Sequence, residues 1–185
     1  AIAARVRAGL VAATCEESAQ VGAATSASPS TKIGLIDTKR IMAADEAPGD
    51  WLSYGRDYGE QRFSPLTQVN KQSIEDLELA WSFDMFTNRG LEASPIVVDG
   101  IMYMTGSWST VFAVDAKTGE EVWSYDPEVP GDWARKACCD VVNRGVAVYE
   151  GAVYLATLDG YLVSLNAETG EVIWRTNTII DRTRS

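Results

Sequence analysis

The sequence predicts an all-β chain, a β-propeller built from four-stranded antiparallel blades. Two observations predict it. First, the second half of the chain repeats itself at a fixed offset. Gly100 matches Gly151, Tyr103 matches Tyr154, Asp115 matches Asn166, Thr118-Gly119-Glu120 matches Thr169-Gly170-Glu171, and Trp123 matches Trp174. Each step is 51 residues (151−100, 174−123) and needs no gap. A period near 50 belongs to propellers, solenoids and similar arrays. Second, each repeat reads as four short apolar runs separated by turn residues, which is the content of a propeller blade.

The elements follow in order. Ser94-Pro95-Ile96-Val97-Val98 is a first strand that ends at Asp99-Gly100, a strong hairpin signal between apolar runs. Ile101–Met104 begins the second strand, Thr110–Asp115 is the third, and Val122–Tyr125 after the Lys117-Thr118-Gly119-Glu120 turn is the fourth. The second unit repeats this with Gly145–Tyr149, Ala152–Leu158, Tyr161–Asn166 and Glu171–Arg175. Leu77–Asp84 resembles the fourth strand of a unit, with Trp81 in the place of Trp123, and reads as the last strand of an earlier blade. The chain therefore divides into a tail over 1–44, a lead-in over 45–76 that caps the first blade, and the start of a propeller over 77–185, with units near 94–125 and 145–175. That amounts to about two complete blades and part of another.

Composition bounds the function. The 185 residues carry a net charge of −10 and no histidine. The acidic balance argues against nucleic acid, which needs a basic footprint. Without histidine, Ser-His triads and His-based zinc sites are excluded within these residues, and acid–base chemistry would fall to Asp, Glu, Tyr, Lys or Cys. No run is long enough to span a membrane. Residues 1–31 are rich in Ala, Ser and Thr, with Arg5 and Arg7 ahead of the short apolar run Ala8–Ala13. They read as an export-signal remnant or a disordered tail, and the lone Cys15 within them has no assigned role.

Cys138 and Cys139 are adjacent. Neighbouring Cα atoms lie about 3.8 Å apart, whereas disulfides favour about 4.4–6.8 Å. A bond between them distorts the peptide and closes almost no loop, so it would shape a site rather than staple the fold. The alternative is two reduced, buried cysteines that act as small apolar residues. Residue types and spacing leave both readings open.

Three features carry a family resemblance. Ala113–Trp123, and a second copy at Ser164–Trp174, resemble the tryptophan-docking motif of quinoprotein dehydrogenases. Cys138-Cys139-Asp140-Val141-Val142-Asn143-Arg144-Gly145 resembles the adjacent-cysteine segment of alcohol dehydrogenases that use pyrroloquinoline quinone (PQQ). Arg89-Gly90-Leu91-Glu92-Ala93-Ser94-Pro95 resembles their glutamate-bearing segment. The resemblance covers roughly residues 45–185. It implies an eight-bladed propeller in the whole enzyme, with Cys138 and Cys139 as a vicinal disulfide above the quinone and Arg144 and Glu92 as cofactor-binding residues. A guanidinium suits a cofactor that bears carboxylates. Glu92 beside such an anion would have to be protonated or paired with a cation.

Trp123 and Trp174 read as structural docking residues, Trp108 and Trp133 as packing, and Asp140 and Asn143 as residues that fix the loop. The metal ligands (for calcium or a lanthanide), the aspartate that takes the proton and the tryptophan beneath the quinone lie later in the family's chains. No catalytic or metal-ligating residue is therefore expected here, and the fragment alone is expected to be inactive. The whole enzyme would oxidise an alcohol to an aldehyde or ketone and pass electrons to a cytochrome c, in the periplasm. The rival reading is a non-catalytic propeller scaffold of the outer-membrane assembly type, which has no use for Cys138, Cys139, Arg144 and Glu92 together.

Overall fold

The structure, a computed structural model, describes residues 2–6 and 33–181. Strand β1 (Ile2–Val6) pairs antiparallel with β2 (Leu77–Ser82), ahead of two four-stranded sheets. The first sheet holds β3 (Ile96–Val98), β4 (Ile101–Thr105), β5 (Val111–Asp115) and β6 (Glu121–Tyr125) in sequential antiparallel order. The second holds β7 (Ala147–Tyr149), β8 (Ala152–Ala156), β9 (Tyr161–Asn166) and β10 (Val172–Asn177) in the same order. These are the two blades read from the repeat. Both opening hairpins turn through two residues of positive φ, Asp99 (53°) with Gly100 (79°) and Glu150 (47°) with Gly151 (77°), the turn whose twist matches its strands.

Strand β5 is buried on both faces, because successive side chains point to opposite sides of a sheet. Val111 and Ala113 join the main core with Val148, Val153, Val163 and Leu165 of the second blade. Phe112 and Val114 join Met104 in a second cluster, packed against Trp81 and Phe83 of the preceding element. The first blade thus has apolar neighbours on both sides, as a middle layer should.

One feature of the sheets was not legible in the sequence. The β5–β6 register runs from Ala113↔Trp123 to Val114↔Glu121, so Val122 is an extra residue. The β9–β10 register skips Ile173 in the same way, and the β1–β2 register skips Ala80. Each bulge falls immediately before a tryptophan: Trp81, Trp123 or Trp174. A bulge bends the strand and re-aims the next side chain. Here it turns each indole out of the alternation of its own strand.

The tail boundary at residue 44 moves. Helix α1 (Thr38–Met42), capped by Asp37, and the turn over Ala44–Glu46 already belong to the packed body. Ile36 is fully buried, and Ile41 and Ala44 lie in the main core. Backbone bonds from Glu150 N to Ile36 O (2.8 Å) and from Gly151 N to Gly34 O (2.9 Å) strap this segment over the hairpin turn of the second blade. Sparse apolar spacing hid it, since only a few residues of the strap face inward. Of residues 1–31, read as an export-signal remnant or tail, only Ile2–Val6 is described, as strand β1; the apolar run Ala8–Ala13 and Cys15 lie outside the described residues. Within the lead-in, Trp51 exchanges backbone bonds of 2.7 and 2.9 Å with Val97 of the first blade.

The strap is also tied to the first blade. Arg40 bonds Asp99 (2.7 Å) and Asp50 (2.8 Å), and Gly34 N donates to Asp99 Oδ2 (3.0 Å). Partial burial would push the Asp99 carboxyl up, but the bonds from Arg40 and Gly34 outweigh it and hold the carboxyl below the ordinary carboxylate range. The native state therefore binds fewer protons here than the unfolded chain. The resulting stabilisation is complete above about pH 4 and is lost as pH falls through the lower folded value. With solvent screening it is worth about 1 kcal/mol. Thermal midpoints below pH 4 should fall less steeply for Asp99→Asn than for the parent protein, and equal slopes would contradict the assignment.

Candidate functional site

The loop between β6 and β7 carries both cysteines, and its downstream half is pinned at several points. Trp108 N donates to Val141 O (2.8 Å), and the Val141 side chain is fully buried. Asn143 Nδ2 donates to Ser109 Oγ (3.0 Å) and Ala156 O (2.8 Å), while its Oδ1 accepts from Gly145 N (2.8 Å). Thr105 Oγ1 reaches the carbonyls of Asn143 and Gly145, each at 3.0 Å. Ser109, itself buried, also accepts from Leu158 N. Asn143 thus uses its whole amide to fix the loop against both blades, the role read for it from sequence. Ser107, Trp108 and Ser109 form the turn between β4 and β5, with Trp108 (59°) and Ser109 (63°) at positive φ.

Ahead of β3, the segment Thr87–Glu92 lies against this loop. A methyl group built on Gly90 would come within 3.3 Å of Val142 Cγ1. Two ion pairs join the segments. Arg144 Nη2 meets Glu92 Oε2 at 2.5 Å, with both side chains substantially exposed. Arg89 grips Asp140 through Nε and Nη2, with Nε 2.9 and 3.0 Å from the two carboxylate oxygens. The Asp140 carboxyl is held below its usual range, first by Arg89 and then by Val141 N. Each segment therefore contributes one arginine and one carboxylate. Glu92 is thus paired with a cation.

Cys138 and Cys139 are both exposed free thiols here. Exposure overturns the alternative in which they act as buried apolar residues. The disulfide implied by resemblance is not formed in this structure, and closing it requires distortion of the intervening peptide. The Cys139 thiol is pushed up by its hydrogen bond with Cys138 and by charge on that neighbour, while Arg144 pulls it back down and Glu92 adds to the rise. All four residues predicted for the site, Glu92, Cys138, Cys139 and Arg144, thus lie within electrostatic reach of one another on one exposed surface. Among the described residues no group of three or more His, Cys, Asp or Glu could hold a metal ion.

Two of the repeat tryptophans, Trp81 and Trp123, lie across the turn of the following unit. Trp123 Nε1 donates to Ala167 O of the second blade (3.0 Å), and its ring covers Gly170, where a Cβ would lie 2.7 Å from the indole. Trp81 does the same to the first blade, donating to Ala116 O (3.2 Å) over Gly119. Gly119 and Gly170 sit at φ 78° and 74°, where a side chain would be strained and would also strike the ring. Asp115 Oδ1 and Asn166 Oδ1 each accept from the backbone N–H groups two and three residues on, at 2.8 to 3.0 Å. This explains why the two copies differ: the turn needs an acceptor, not a charge. Trp174 stands against Tyr154 and is 41% exposed.

The Arg89–Asp140 pair was missed in the sequence. A signal existed in the repeat, because the two residues are 51 apart and so occupy equivalent places in successive units.

Residues 51–182 match the family model described as "PQQ: Glucose/ethanol/alcohol dehydrogenase, beta-propeller domain". The dehydrogenase subunit of the quinone alcohol dehydrogenase of Komagataeibacter europaeus is 55% identical over 75% of this chain and 19% of its own length. The 1-butanol dehydrogenase (cytochrome c) of Thauera butanivorans is 51% identical over 73% of this chain and 20% of its own. A solved quinohemoprotein alcohol dehydrogenase from Pseudomonas putida HK5 superposes with a TM-score of 0.79 at 50% identity, over 81% of this chain and 22% of that one. The chain thus spans about a fifth of the length of the curated relatives it matches. With both blades, the docking tryptophans and the paired segments inside the matched region, the chain belongs to the β-propeller family of PQQ-dependent glucose, ethanol and alcohol dehydrogenases.

Proposed function

We propose that this chain is the N-terminal portion of a PQQ-dependent alcohol dehydrogenase, which oxidises alcohols to aldehydes or ketones and delivers electrons to a cytochrome c. The observation that carries the reading is the gathering of Cys138, Cys139, Arg144 and Glu92 on one surface beside two propeller blades. The residues fit the cofactor by their chemistry. An exposed guanidinium, held by Glu92 along one edge, keeps further N–H donors for a ligand carboxylate. The adjacent sulfurs offer a polarizable face to a planar ring. The quinone, when bound with calcium or a lanthanide held by residues outside this chain, would supply the two-electron oxidation.

This chain's own part is to bind and orient. Arg144 and Glu92 fix the anionic edge, and the cysteine face excludes water from one side of the ring. In the working enzyme the cysteines are joined, the two thiols losing two protons and two electrons to a protein disulfide oxidant. A joined pair suits an oxidising compartment, and on this reading the enzyme works in the periplasm. The relatives described as alcohol dehydrogenases favour this reading over a non-catalytic scaffold. Full-length protein titrated with PQQ and calcium should bind quinone and reduce cytochrome c when given a primary alcohol. Failure to bind the quinone with either calcium or a lanthanide present would overturn the proposal.

A further inference from the structure

We propose that Arg89 is a positioning residue for this site: by gripping Asp140 at two points, it fixes the Cys138–Cys139 face against the segment that carries Glu92. The inference rests on the quinone reading for its ligand, but its geometry stands by itself. The cysteine loop is anchored well on one side only. Downstream, Val141 and Asn143 are bound to both blades. Upstream, the turn over Gly131–Arg135 closes with Ala137 N donating to Trp133 O. Between Ala137 and Val141 lie the two cysteines and Asp140, and there the side-chain anchor is the bond from Arg89 to Asp140. Asp140 directly follows Cys139 and sits at φ 68°, so its backbone turn and its side chain together set where the cysteine sulfurs point.

Arg89 is itself held. Its backbone N–H donates to Thr87 Oγ1 (3.1 Å), and Thr87 shares a hydrogen bond with Ser107 Oγ (3.0 Å), next to the Trp108 whose N–H holds Val141. The chain of contacts Ser107–Thr87–Arg89–Asp140 therefore runs from the first blade back to the cysteines. Three residues after Arg89, Glu92 meets Arg144. The clamp and the ligand-facing pair are thus borne by the same two segments. A planar fork that makes two parallel bonds fixes orientation in a way a lysine cannot, since an ammonium is a point charge.

The test uses full-length protein carrying Arg89→Gln, Arg89→Lys, Asp140→Asn and the reversal Arg89→Asp/Asp140→Arg. Two readouts are taken: quinone affinity by titration with PQQ, and amide exchange of residues 138–141 in quinone-free protein. Arg89→Gln is expected to weaken quinone binding by roughly tenfold or more and to speed exchange across 138–141 by a similar factor. Its unfolding midpoint should stay near that of the parent, as suits a solvent-facing pair. Arg89→Lys should not restore binding, and the reversal should restore part of it. Unchanged affinity in Arg89→Gln overturns the proposal, whether or not exchange speeds up. If the parent protein binds no quinone, the quinone reading fails by itself. The positioning of the cysteines is then upheld by faster exchange and overturned by unchanged exchange.

Discussion

Trp123→Ala is expected to destabilise the protein by about 3–5 kcal/mol, the range for emptying a buried aromatic site. Trp123 is 8% exposed, packs at 5.9 Å from the Tyr103 ring, and gives its indole N–H to Ala167 O. The loss is not confined to apolar area. Ala167 O also accepts from Tyr103 OH (2.9 Å), so one carbonyl of the second blade receives two donors from the first. Burial pushes the Tyr103 phenol well above its ordinary range, so it stays protonated and a donor around neutral pH and above. Gly170→Val should act from the other side of the same joint. Positive φ costs a non-glycine residue about 1–2 kcal/mol, and the new side chain must also displace the indole. Asp115→Asn is the control: Asn166 already does that job in the second copy, so the expected change is within about 0.5 kcal/mol. Urea midpoints decide the matter, and a Trp123→Ala midpoint equal to that of the parent would refute the docking role.

Arg144→Gln in full-length protein is expected to lower quinone affinity by about 10- to 100-fold, the worth of a hydrogen bond to a charged group. Two effects combine. On the proposed reading the ligand carboxylate would lose its guanidinium, and Glu92 would lose the cation at 2.5 Å and be left bare beside an anionic cofactor. Arg144→Gln combined with Glu92→Gln should recover part of the loss by removing that repulsion. Glu92→Gln alone should cost less than Arg144→Gln, because its contribution is to aim the guanidinium. Equilibrium titration with PQQ measures all three variants. If Arg144→Gln binds as tightly as the parent, Arg144 is a surface residue paired with Glu92 and nothing more.

The parts of this molecule legible in the sequence are those set by local pattern. Alternating apolar runs, the Asp99-Gly100 turn and the Thr-Gly turns give both blades to within a few residues, because each depends on neighbours in the chain. The four site residues came from resemblance, and the structure brings them together. What escaped is not written in the local apolar pattern. The bulges at Ala80, Val122 and Ile173 leave no local signature, since the extra residue is an ordinary apolar one. The strap at Gly34–Met42 reads as tail because it meets the blades through backbone groups and only a few side chains. The clamp between Arg89 and Asp140 joins two loops that look unremarkable separately.

The tryptophan joints also carry a direction. The first blade receives the Trp81 indole on its Gly119 turn and gives its own Trp123 indole to Gly170 of the second blade. The contact is head-to-tail, and its two surfaces are different. Identical head-to-tail steps generate a closed ring only when the rotation per step divides a full turn, and an open helix otherwise. The tilt of an indole on its glycine would therefore be multiplied wherever the same joint is repeated. A change in ring size at every such joint would alter the number of units that can close, while a change at one joint would open a seam there.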